Sequence, residues 1–368
     1  MSTDTITQLL QKAIASREHL FDAAHETALR LFNGFTEGNP HLSLDLYAGS
    51  VIFHNYHSNA SAGMPLVHEA MEFIQHHPRL SDWLRAGIVK SRHSTSQDDR
   101  RGKLVFGISP DRKIKEHGLW YAIDLTMNRD ASFYLDTRHL RKWLIDHMKN
   151  KSLLNAFAYT GSFGIAALKG GARRVVQLDR SGQFLHLAKD SYALNGFSIR
   201  KNDFATDDFF PAISRFKRSG TTFDCVLIDP PFFSSTSKGR VDQETDSARL
   251  INKVRPLIKD GGYLIAINNA LYVSGREFMQ TLESLCKDGY LKIEELIPVP
   301  EDFVGYSKVG TQITDPAPFN HSTKIAILKV KRRSQVKWRD NEQQTDRGEL
   351  LADDGYQRFP RSRRTPAR

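Results

Sequence analysis

The sequence predicts an α/β protein whose main part is a doubly wound parallel sheet, with a smaller α+β domain before it. Two observations support this prediction. Along residues 131–332, apolar strand-like runs alternate with helix-like segments, as they do where helical crossovers join parallel strands. Several of these runs end at a polar residue or a glycine turn, and ligands of such sheets bind beyond the carboxyl ends of the strands. We therefore expect a ligand site along that edge.

The first 130 residues are predicted to form a helix and a small mixed domain. Residues 1–27 begin with a possible cap, Ser2-Thr3-Asp4, followed by apolar residues at helical spacing from Ile6 to Ile14, which indicates an N-terminal helix. Residues 28–130 change to short apolar runs divided by turns, as expected of a small substrate-recognition domain. Its predicted elements are strands at 29–35, 42–47, 50–56, 104–108 and 119–125, a helix near 66–74 and a polar loop at 91–102.

Residues 131–332 carry the alternating pattern, and a basic tail follows them. The predicted strands are 153–157, 175–178, 223–228, 263–267, 291–297 and 323–330, and the predicted helices are 165–168, 184–195, 248–258 and 275–286. Residues 333–368 are polar and rich in arginine, a composition typical of disorder. A solvated tail and a non-specific RNA-binding arm both fit this composition.

The charge balance favours a polyanionic partner. The 368 residues include 52 lysines and arginines against 42 acidic residues, a formal net charge of +10; nucleic acid is a usual partner of such a protein, although surplus surface lysines would give the same balance. The two cysteines exclude a disulfide scaffold. With no secretory signal and no apolar run near the roughly 20 residues of a membrane helix, we expect a cytoplasmic protein without a membrane partner. The histidines lack zinc-ligand spacing, so no metal is predicted.

The turn after the strand at 153–157 is the first candidate binding loop. Gly161, in Tyr159-Thr160-Gly161, lets the backbone approach a ligand closely, while the bulky Tyr159 and Phe163 stand where a pyrophosphate-binding loop needs small residues. An adenosine-type ligand without phosphates therefore fits better than a dinucleotide, although a purely structural turn is also possible. Asp179, at the end of the next strand, could accept hydrogen bonds from ribose hydroxyls or cap a helix. Asp208 could bind an adenine amino group or serve as a cap.

The run Asp229-Pro230-Pro231-Phe232 is the most specific motif. The two prolines fix the local geometry and would hold the Asp229 carboxylate and the Phe232 ring at the sheet edge, where the ring can stack on a base and the carboxylate can take a proton from an amine. Asn268, after the following strand, could line the same pocket or form a polar turn. The two thiols are poorly placed to react with a base, because Cys225 lies inside a strand that should be buried and Cys286 lies at a helix end. This placement argues against reactions at C5 of a pyrimidine, such as C5 methylation, in which a nucleophile, usually a cysteine thiolate, must first add to the ring.

These motifs resemble a known family. Glu116-His-Gly, the segment Ser132-Phe133-Tyr-Leu-Asp136-Thr-Arg138, the Tyr159-Thr160-Gly161 loop and Asp229-Pro-Pro-Phe look like the class I, Rossmann-like methyltransferases that use S-adenosylmethionine to modify bases of bacterial 23S ribosomal RNA. The resemblance covers roughly residues 28–330. It implies that the cofactor pocket is formed by Phe133, Asp136, Arg138, Tyr159, Thr160, Gly161, Phe163, Asp179, Asp208 and Asp229.

Within that family the sequence looks more like the guanine-modifying members. The cytosine-C5 members have an N-terminal PUA domain, for which the residues before Ala28 are too few, and a cysteine after the fifth strand, where this chain has Asn268-Asn269. The segment Glu301-Asp302-Phe303 and His321 also resemble the guanine-modifying members. We therefore predict an S-adenosylmethionine-dependent methyltransferase acting on a purine nitrogen of 23S ribosomal RNA. Methylation of a protein or small molecule, and a non-catalytic RNA-binding role, are the alternatives; the oligomeric state stays open.

Overall fold

The N-terminal part of the chain folds around a five-stranded sheet. The computed structural model describes residues 4–231, 233–236, 239–304 and 315–332, without the side chains of 233–246. The elements up to residue 122 are α1 (Ile6–Ser16), β1 (Ala28–Asn33), β2 (Leu42–Tyr47), β3 (Ser50–Asn55), α2 (Met64–His76), β4 (Ala86–Ser91), α3 (Gln97–Arg101), β5 (Lys103–Gly107), β6 (Lys113–Glu116) and β7 (Leu119–Ala122). The sheet has the order β1-β2-β3-β4-β5, and β6 and β7 form a separate hairpin. Only the β3–β4 pair in this sheet runs parallel.

Helix α1 is the helix predicted within residues 1–27, and it packs into the core of this domain. The apolar face of α1, including Leu10 and Ile14, is buried in the same core as β1, β2, β3 and α2. The cap is Thr5, just after the predicted Ser2-Thr3-Asp4. Its hydroxyl accepts from the Gln8 N–H at 3.3 Å, and the Gln8 side chain accepts from the Thr5 N–H at 2.9 Å. This reciprocal pair needs a glutamine or glutamate three residues after the cap, which only Thr5 has.

Two elements between residues 86 and 102 were not predicted. Strand β4 was missed because its fifth residue is Lys90, which interrupts the apolar pattern although its side chain is fully buried. Helix α3 lies in the segment predicted as a loop. Ser96 caps it, acidic residues occupy its first turn and Arg100 and Arg101 its last, the charge arrangement that favours a helix dipole.

The rest of the described chain builds the predicted doubly wound sheet. Its elements are α4 (Arg138–His147), β8 (Ser152–Ala156), α5 (Ser162–Lys169), β9 (Arg174–Asp179), α6 (Gly182–Leu194), β10 (Phe204–Thr206), α7 (Phe209–Arg218), β11 (Phe223–Ile228), β12 (Phe233–Thr236), β13 (Gly239–Asp242), α8 (Gln243–Val254), β14 (Ile258–Asn268), α9 (Gly275–Cys286), β15 (Leu291–Ile297), α10 (Glu301–Val304) and β16 (Lys324–Val330). The order is β10-β9-β8-β11-β14-β16-β15. The predicted fold class is confirmed.

The topology brings the strand ends of this sheet to one edge. Strands β8, β9, β10, β11 and β14 are parallel, so their carboxyl ends meet there. The chain order reverses between β8 and β11, which is where such sheets bind ligands. Strand β16 runs antiparallel to β14 and pairs Lys324 with Asn268. The beginning of β16 therefore lies at the same edge as the ends of the parallel strands.

Helices α4 and α7 and the β12–β13 hairpin were not predicted. Helix α4 was missed because its apolar face is small: Leu140, Trp143 and Leu144 are buried among many charged residues. Helix α7 was missed because Pro211 looked like a helix breaker, whereas it lies in the first turn, where proline is tolerated. None of the helices in the described ranges is long and apolar enough to span a membrane.

Candidate active site

The turn after β8 has a backbone that favours glycine at its end. Phe157, Tyr159 and Gly161 all have positive φ, at 61°, 51° and 76°. A Cβ on Gly161 would lie 2.7 Å from Cβ of Ala188, closer than real Cβ contacts allow. Thr160 is buried, and its hydroxyl donates to the carbonyl of Ser132 at 2.5 Å. The loop is thus tightly held against α6 and against the segment before α4.

Asp179 fixes this loop from the neighbouring strand. One carboxylate oxygen accepts from the Tyr159 N–H and the other from the Ser181 N–H, both at 2.8 Å. Burial raises the pKa of Asp179, while these N–H donors act in the opposite direction. The carboxylate therefore positions the backbone of the turn, and this arrangement leaves further lone pairs on both oxygens.

The Tyr159 side chain is held by three neighbours. Its hydroxyl accepts from the Asn128 side-chain amide at 3.1 Å. Its ring lies edge-on to Phe184, with centroids 4.6 Å apart, and 5.3 Å from the ring of Tyr134. Tyr134 is 41% exposed, so this aromatic group reaches from the loop to the surface.

Asp136 and Asp229 form a pair of carboxylates at the reversal point of the sheet. Asp229 follows β11, and Asp136 lies in the 3₁₀ turn Leu135–Thr137. One oxygen of Asp136 accepts from the Thr323 hydroxyl at 2.7 Å. The Oδ1 atoms of both aspartates are buried and have no hydrogen-bond partner among the described residues. Burial raises the pKa of Asp229 to about 7, and the charge of Asp136 adds to this effect.

The beginning of β16 contributes groups that the sequence reasoning missed. Burial lowers the pKa of Lys324 to about 8, and its ammonium donates to the carbonyl of Ala270 at 3.1 Å. Beside it, Asn268 is buried; its amide oxygen accepts from the Ala270 N–H at 3.1 Å. The sequence of 323–330 predicted a strand but not its direction, and only the antiparallel direction brings Thr323 and Lys324 to this edge.

Several residues predicted to bind the cofactor have their side chains engaged elsewhere. Phe163 is buried in the core that contains Leu144 and Val175. The ring of Phe133 lies 4.8 Å from that of Tyr121. These contacts are packing contacts, so any role of the two rings in cofactor binding stays a prediction.

Arg138 and Asp208 also have structural partners. The Arg138 guanidinium pairs with the buried Asp302 at 3.1 Å and donates to the carbonyl of Ala28, which ties the two sheets together. Asp208 caps α7 by accepting from the Phe209 N–H at 3.0 Å, the alternative that the sequence left open. Pro230 is buried and Pro231 exposed, and Phe232 lies outside the described residues.

The motif that resembled guanine-modifying enzymes lies partly at the domain contact. Besides Arg138, Asp302 accepts from the backbone N–H of Arg30 at 2.9 Å, and the Arg30 guanidinium lies 4.4 Å from the centroid of the Phe303 ring. Phe303 in turn contacts the ring of His321 edge-on at 5.8 Å. Burial lowers the pKa of His321 to about 4, although the nearby charge of Asp136 acts to raise it. His321 is thus a neutral ring close to the carboxylate pair.

The geometry fits a cationic nucleoside better than a nucleotide. Two half-buried carboxylates, each with one buried oxygen that has no partner among the described residues, favour a positive charge between them, and the loop at Gly161 lacks the small residues that cradle phosphates. No group of three or more histidine, cysteine, aspartate or glutamate side chains is placed to hold a metal ion in the described ranges. The fold and this site together define a Rossmann-like class I methyltransferase.

Comparison with known proteins places the chain in a family. The model of the S-adenosylmethionine-dependent methyltransferase family matches residues 98–305, and the chain belongs to this family. The chain is 30% identical to YwbD of Bacillus subtilis, over 80% of this chain and 74% of that protein. It is 28% identical to Ribosomal RNA large subunit methyltransferase I of Aliivibrio fischeri, over 79% of this chain and 73% of that protein.

Solved structures show the same fold. The protein SMU.776, solved in complex with SAH, superposes on this chain with a TM-score of 0.77 at 22% identity. The match covers 88% of this chain and 80% of the SMU.776 chain. A SAM-dependent methyltransferase from Agrobacterium tumefaciens has a TM-score of 0.57 at 16% identity, over 84% of this chain and 91% of its own. The predicted enzyme class and the predicted cofactor, S-adenosylmethionine, are confirmed by the family match.

Proposed function

We propose that this enzyme transfers the methyl group of S-adenosylmethionine to a purine nitrogen of RNA, in the large-subunit 23S ribosomal RNA. The observation that carries the proposal is the Asp136–Asp229 pair, whose unpartnered oxygens lie at the reversal point of the sheet. The name of the Aliivibrio fischeri relative and the net charge of +10 favour RNA as the substrate. Two unpaired cysteines fit a reducing cytoplasm, where we place the reaction.

The proposed cofactor seat is the edge formed by the β8 turn and its neighbours. Tyr159, Thr160 and Gly161 would line it, Asp179 would accept hydrogen bonds from the ribose hydroxyls, and Asp208 would face the adenine amino group. Asp136 and Asp229 would lie nearest the positive charge. When bound, S-adenosylmethionine supplies an electrophilic methyl group on a sulfonium. Phe133, Arg138 and Phe163 would act by holding the surrounding segments in place.

Asp229 is the proposed proton acceptor. An exocyclic amine or a ring N–H nitrogen that attacks a methyl group in line must lose a proton, and a carboxylate with a pKa near the working pH is suited to take it. Burial, with the charge of Asp136, raises the pKa of Asp229 to about 7. Pro230 and Pro231 remove backbone donors beside it, which leaves the carboxylate for the substrate. Most of the remaining acceleration would come from positioning the two reactants.

Nitrogen rather than carbon is the proposed acceptor because the thiols are unsuitable. Methylation at C5 of a pyrimidine needs a thiolate that adds to the ring. Cys225 is fully buried in β11, and burial raises its pKa far above the ordinary value. Cys286 is half-buried at the end of α9, and burial raises its pKa as well. These are the two cysteines of the sequence, and Asn268 occupies the end of β14 instead.

Transfer of labelled methyl groups tests the proposal. The purified full chain would be given radiolabelled S-adenosylmethionine with unmodified 23S ribosomal RNA, transfer RNA or a protein extract as the acceptor, and methylated nucleosides would be identified by mass spectrometry. We expect label in 23S RNA as a methylated purine, and no transfer by Asp229→Ala. Label in protein or in small molecules would support the alternative substrate class. Cofactor binding without transfer to any acceptor would support a non-catalytic RNA-binding role.

A further inference from the structure

Three arginines of the N-terminal domain and its linker lie close together near the active site. Arg92 follows β4, Arg100 lies in α3 and Arg129 lies in the segment that leads to Asp136. Arg92 donates to the carbonyl of Arg129 at 2.7 Å. Burial and the charge of Arg92 lower the pKa of Arg129, the charge of Asp130 acts in the opposite direction, and the charge of Arg100 contributes to the lowering. Arg100, Arg92 and Arg129 are named here the arginine cluster.

Among the residues that the structure describes, one of the three arginines of the cluster is paired with a carboxylate, and the other two are not. Asp130 pairs with Arg92 at 3.2 Å. Within the described ranges, the guanidinium groups of Arg100 and Arg129 form no ion pair with a carboxylate and no hydrogen bond. Guanidinium groups without a carboxylate partner are suited to phosphates, which they bind with two parallel donors.

A short chain of contacts joins the arginine cluster to the active site. Asp130 accepts from the Tyr134 hydroxyl at 3.0 Å, and the Tyr134 ring lies 5.3 Å from that of Tyr159 in the cofactor loop. Buried Lys90 donates to the carbonyls of Asn128 and Asp130 at 2.8 Å and 3.1 Å, which anchors the segment from the N-terminal sheet. The exposed ring of Tyr134 is thus fixed between the arginine cluster and the proposed cofactor seat.

We propose that Arg100 and Arg129 bind backbone phosphates of single-stranded RNA while Tyr134 stacks on the base presented for methylation. The inference rests on the proposed function, which it deepens by naming where the RNA lies. Single-stranded RNA fits because a base inside a duplex cannot reach an active site without leaving the stack. An arginine pair beside an exposed aromatic ring is a combination that binds such strands, with phosphates on the cations and bases on the ring.

The salt dependence of RNA binding tests the phosphate contacts. A fluorescein-labelled single-stranded RNA of mixed sequence would be titrated with wild type and with Arg100→Ala/Arg129→Ala across a salt series. Loss of two phosphate contacts should reduce the slope of log affinity against log salt by about 1.4, since each contact with a single strand contributes about 0.7, and should raise KM for a 23S RNA transcript. Affinity for S-adenosylmethionine should not change. Arg100→Lys/Arg129→Lys keeps both charges and should restore most of the slope.

The matched control removes two charges from the opposite edge of the sheet. Lys169 and Arg218 are exposed at the ends of α5 and α7, and both helices begin at the cofactor edge. Lys169→Ala/Arg218→Ala should keep the wild-type slope. If wild type methylates RNA but the two alanine pairs behave alike, the proposed RNA position is wrong. If wild type neither binds the oligonucleotide nor methylates RNA, the proposed function itself fails.

Substitutions of Tyr134 test the stacking contact. Tyr134→Ala should raise KM for the RNA by roughly 5- to 150-fold, the range expected for loss of one stacked base, and this loss should exceed any change in affinity for S-adenosylmethionine. Tyr134→Phe keeps the ring and loses only the hydrogen bond to Asp130, so it should stay near wild type. Equal losses in Tyr134→Phe and Tyr134→Ala would show that the hydroxyl contact matters and would overturn the stacking role.

Discussion

Asp136 and Asp229 lie near enough at the sheet edge for the charge of one to affect the titration of the other. Burial, followed by the charge of Asp136, raises the pKa of Asp229 to about 7. Two like charges at short range favour a proton or a cation between them. The site therefore prefers a positively charged ligand, which agrees with a sulfonium cofactor.

Cofactor affinity should rise with pH from 6 to 8. A bound cation favours the Asp229 carboxylate, so binding below pH 7 must release the proton that this group holds in the free enzyme. Calorimetry in two buffers of different ionisation enthalpy would count that proton at each pH. S-adenosylhomocysteine, which lacks the sulfonium charge, is the control and should show a smaller pH dependence. Identical pH dependence for the two ligands would contradict this account.

Asp229→Asn should stabilise the free protein at pH 8 more than at pH 5. The pKa of Asp229 is about 7 in the folded state against an ordinary 3.8, so the folded state holds the proton more tightly than the unfolded state. This group therefore costs stability as the pH rises from about 4 to 7, at most about 4 kcal/mol. Thermal unfolding of both variants at the two pH values measures the difference. A gain that is equal at both pH values would refute the raised pKa.

The sequence was sufficient for the strands that line the site but not for all side chains that reach it. Tyr159-Thr160-Gly161, Asp179 and Asp229 were located because apolar strands of a parallel sheet end at one edge. Thr323 and Lys324 were missed because a strand's direction does not appear in its pattern. Phe163 was predicted to bind the cofactor, and its side chain packs in the hydrophobic core. The sequence could not show this packing, because an apolar residue in a helix suits a core position as well as a pocket.

Gly161→Ala should cost more stability than an alanine at an unobstructed glycine with a similar backbone. A Cβ at Gly161 would lie 2.7 Å from Cβ of Ala188, whereas Gly220, with φ 64°, has no atom within 4 Å of its added Cβ. Both substitutions carry about 1–2 kcal/mol for the left-handed backbone, so the excess in Gly161→Ala measures the steric contact. We expect the excess, together with weaker cofactor binding, in thermal and calorimetric measurements. Equal costs would mean that α6 moves aside freely.

Arg138→Ala should destabilise the protein without abolishing cofactor binding. The Asp302 side chain is fully buried and pairs with Arg138 at 3.1 Å, so removal of the arginine leaves a buried carboxylate with only the Arg30 backbone donor among the described residues. Breaking a buried pair from one side costs about 3–5 kcal/mol. Unfolding in denaturant, measured for Arg138→Ala and for Arg138→Ala/Asp302→Asn, should show partial recovery in the double variant, because an amide costs less free energy to bury than a charge.

Cofactor affinity, measured on the folded fraction of each variant, separates the structural role of Arg138 from a role in cofactor binding. A loss of affinity that exceeds tenfold and persists in the double variant would assign Arg138 to the cofactor, as the family resemblance implies, and not to the domain contact alone.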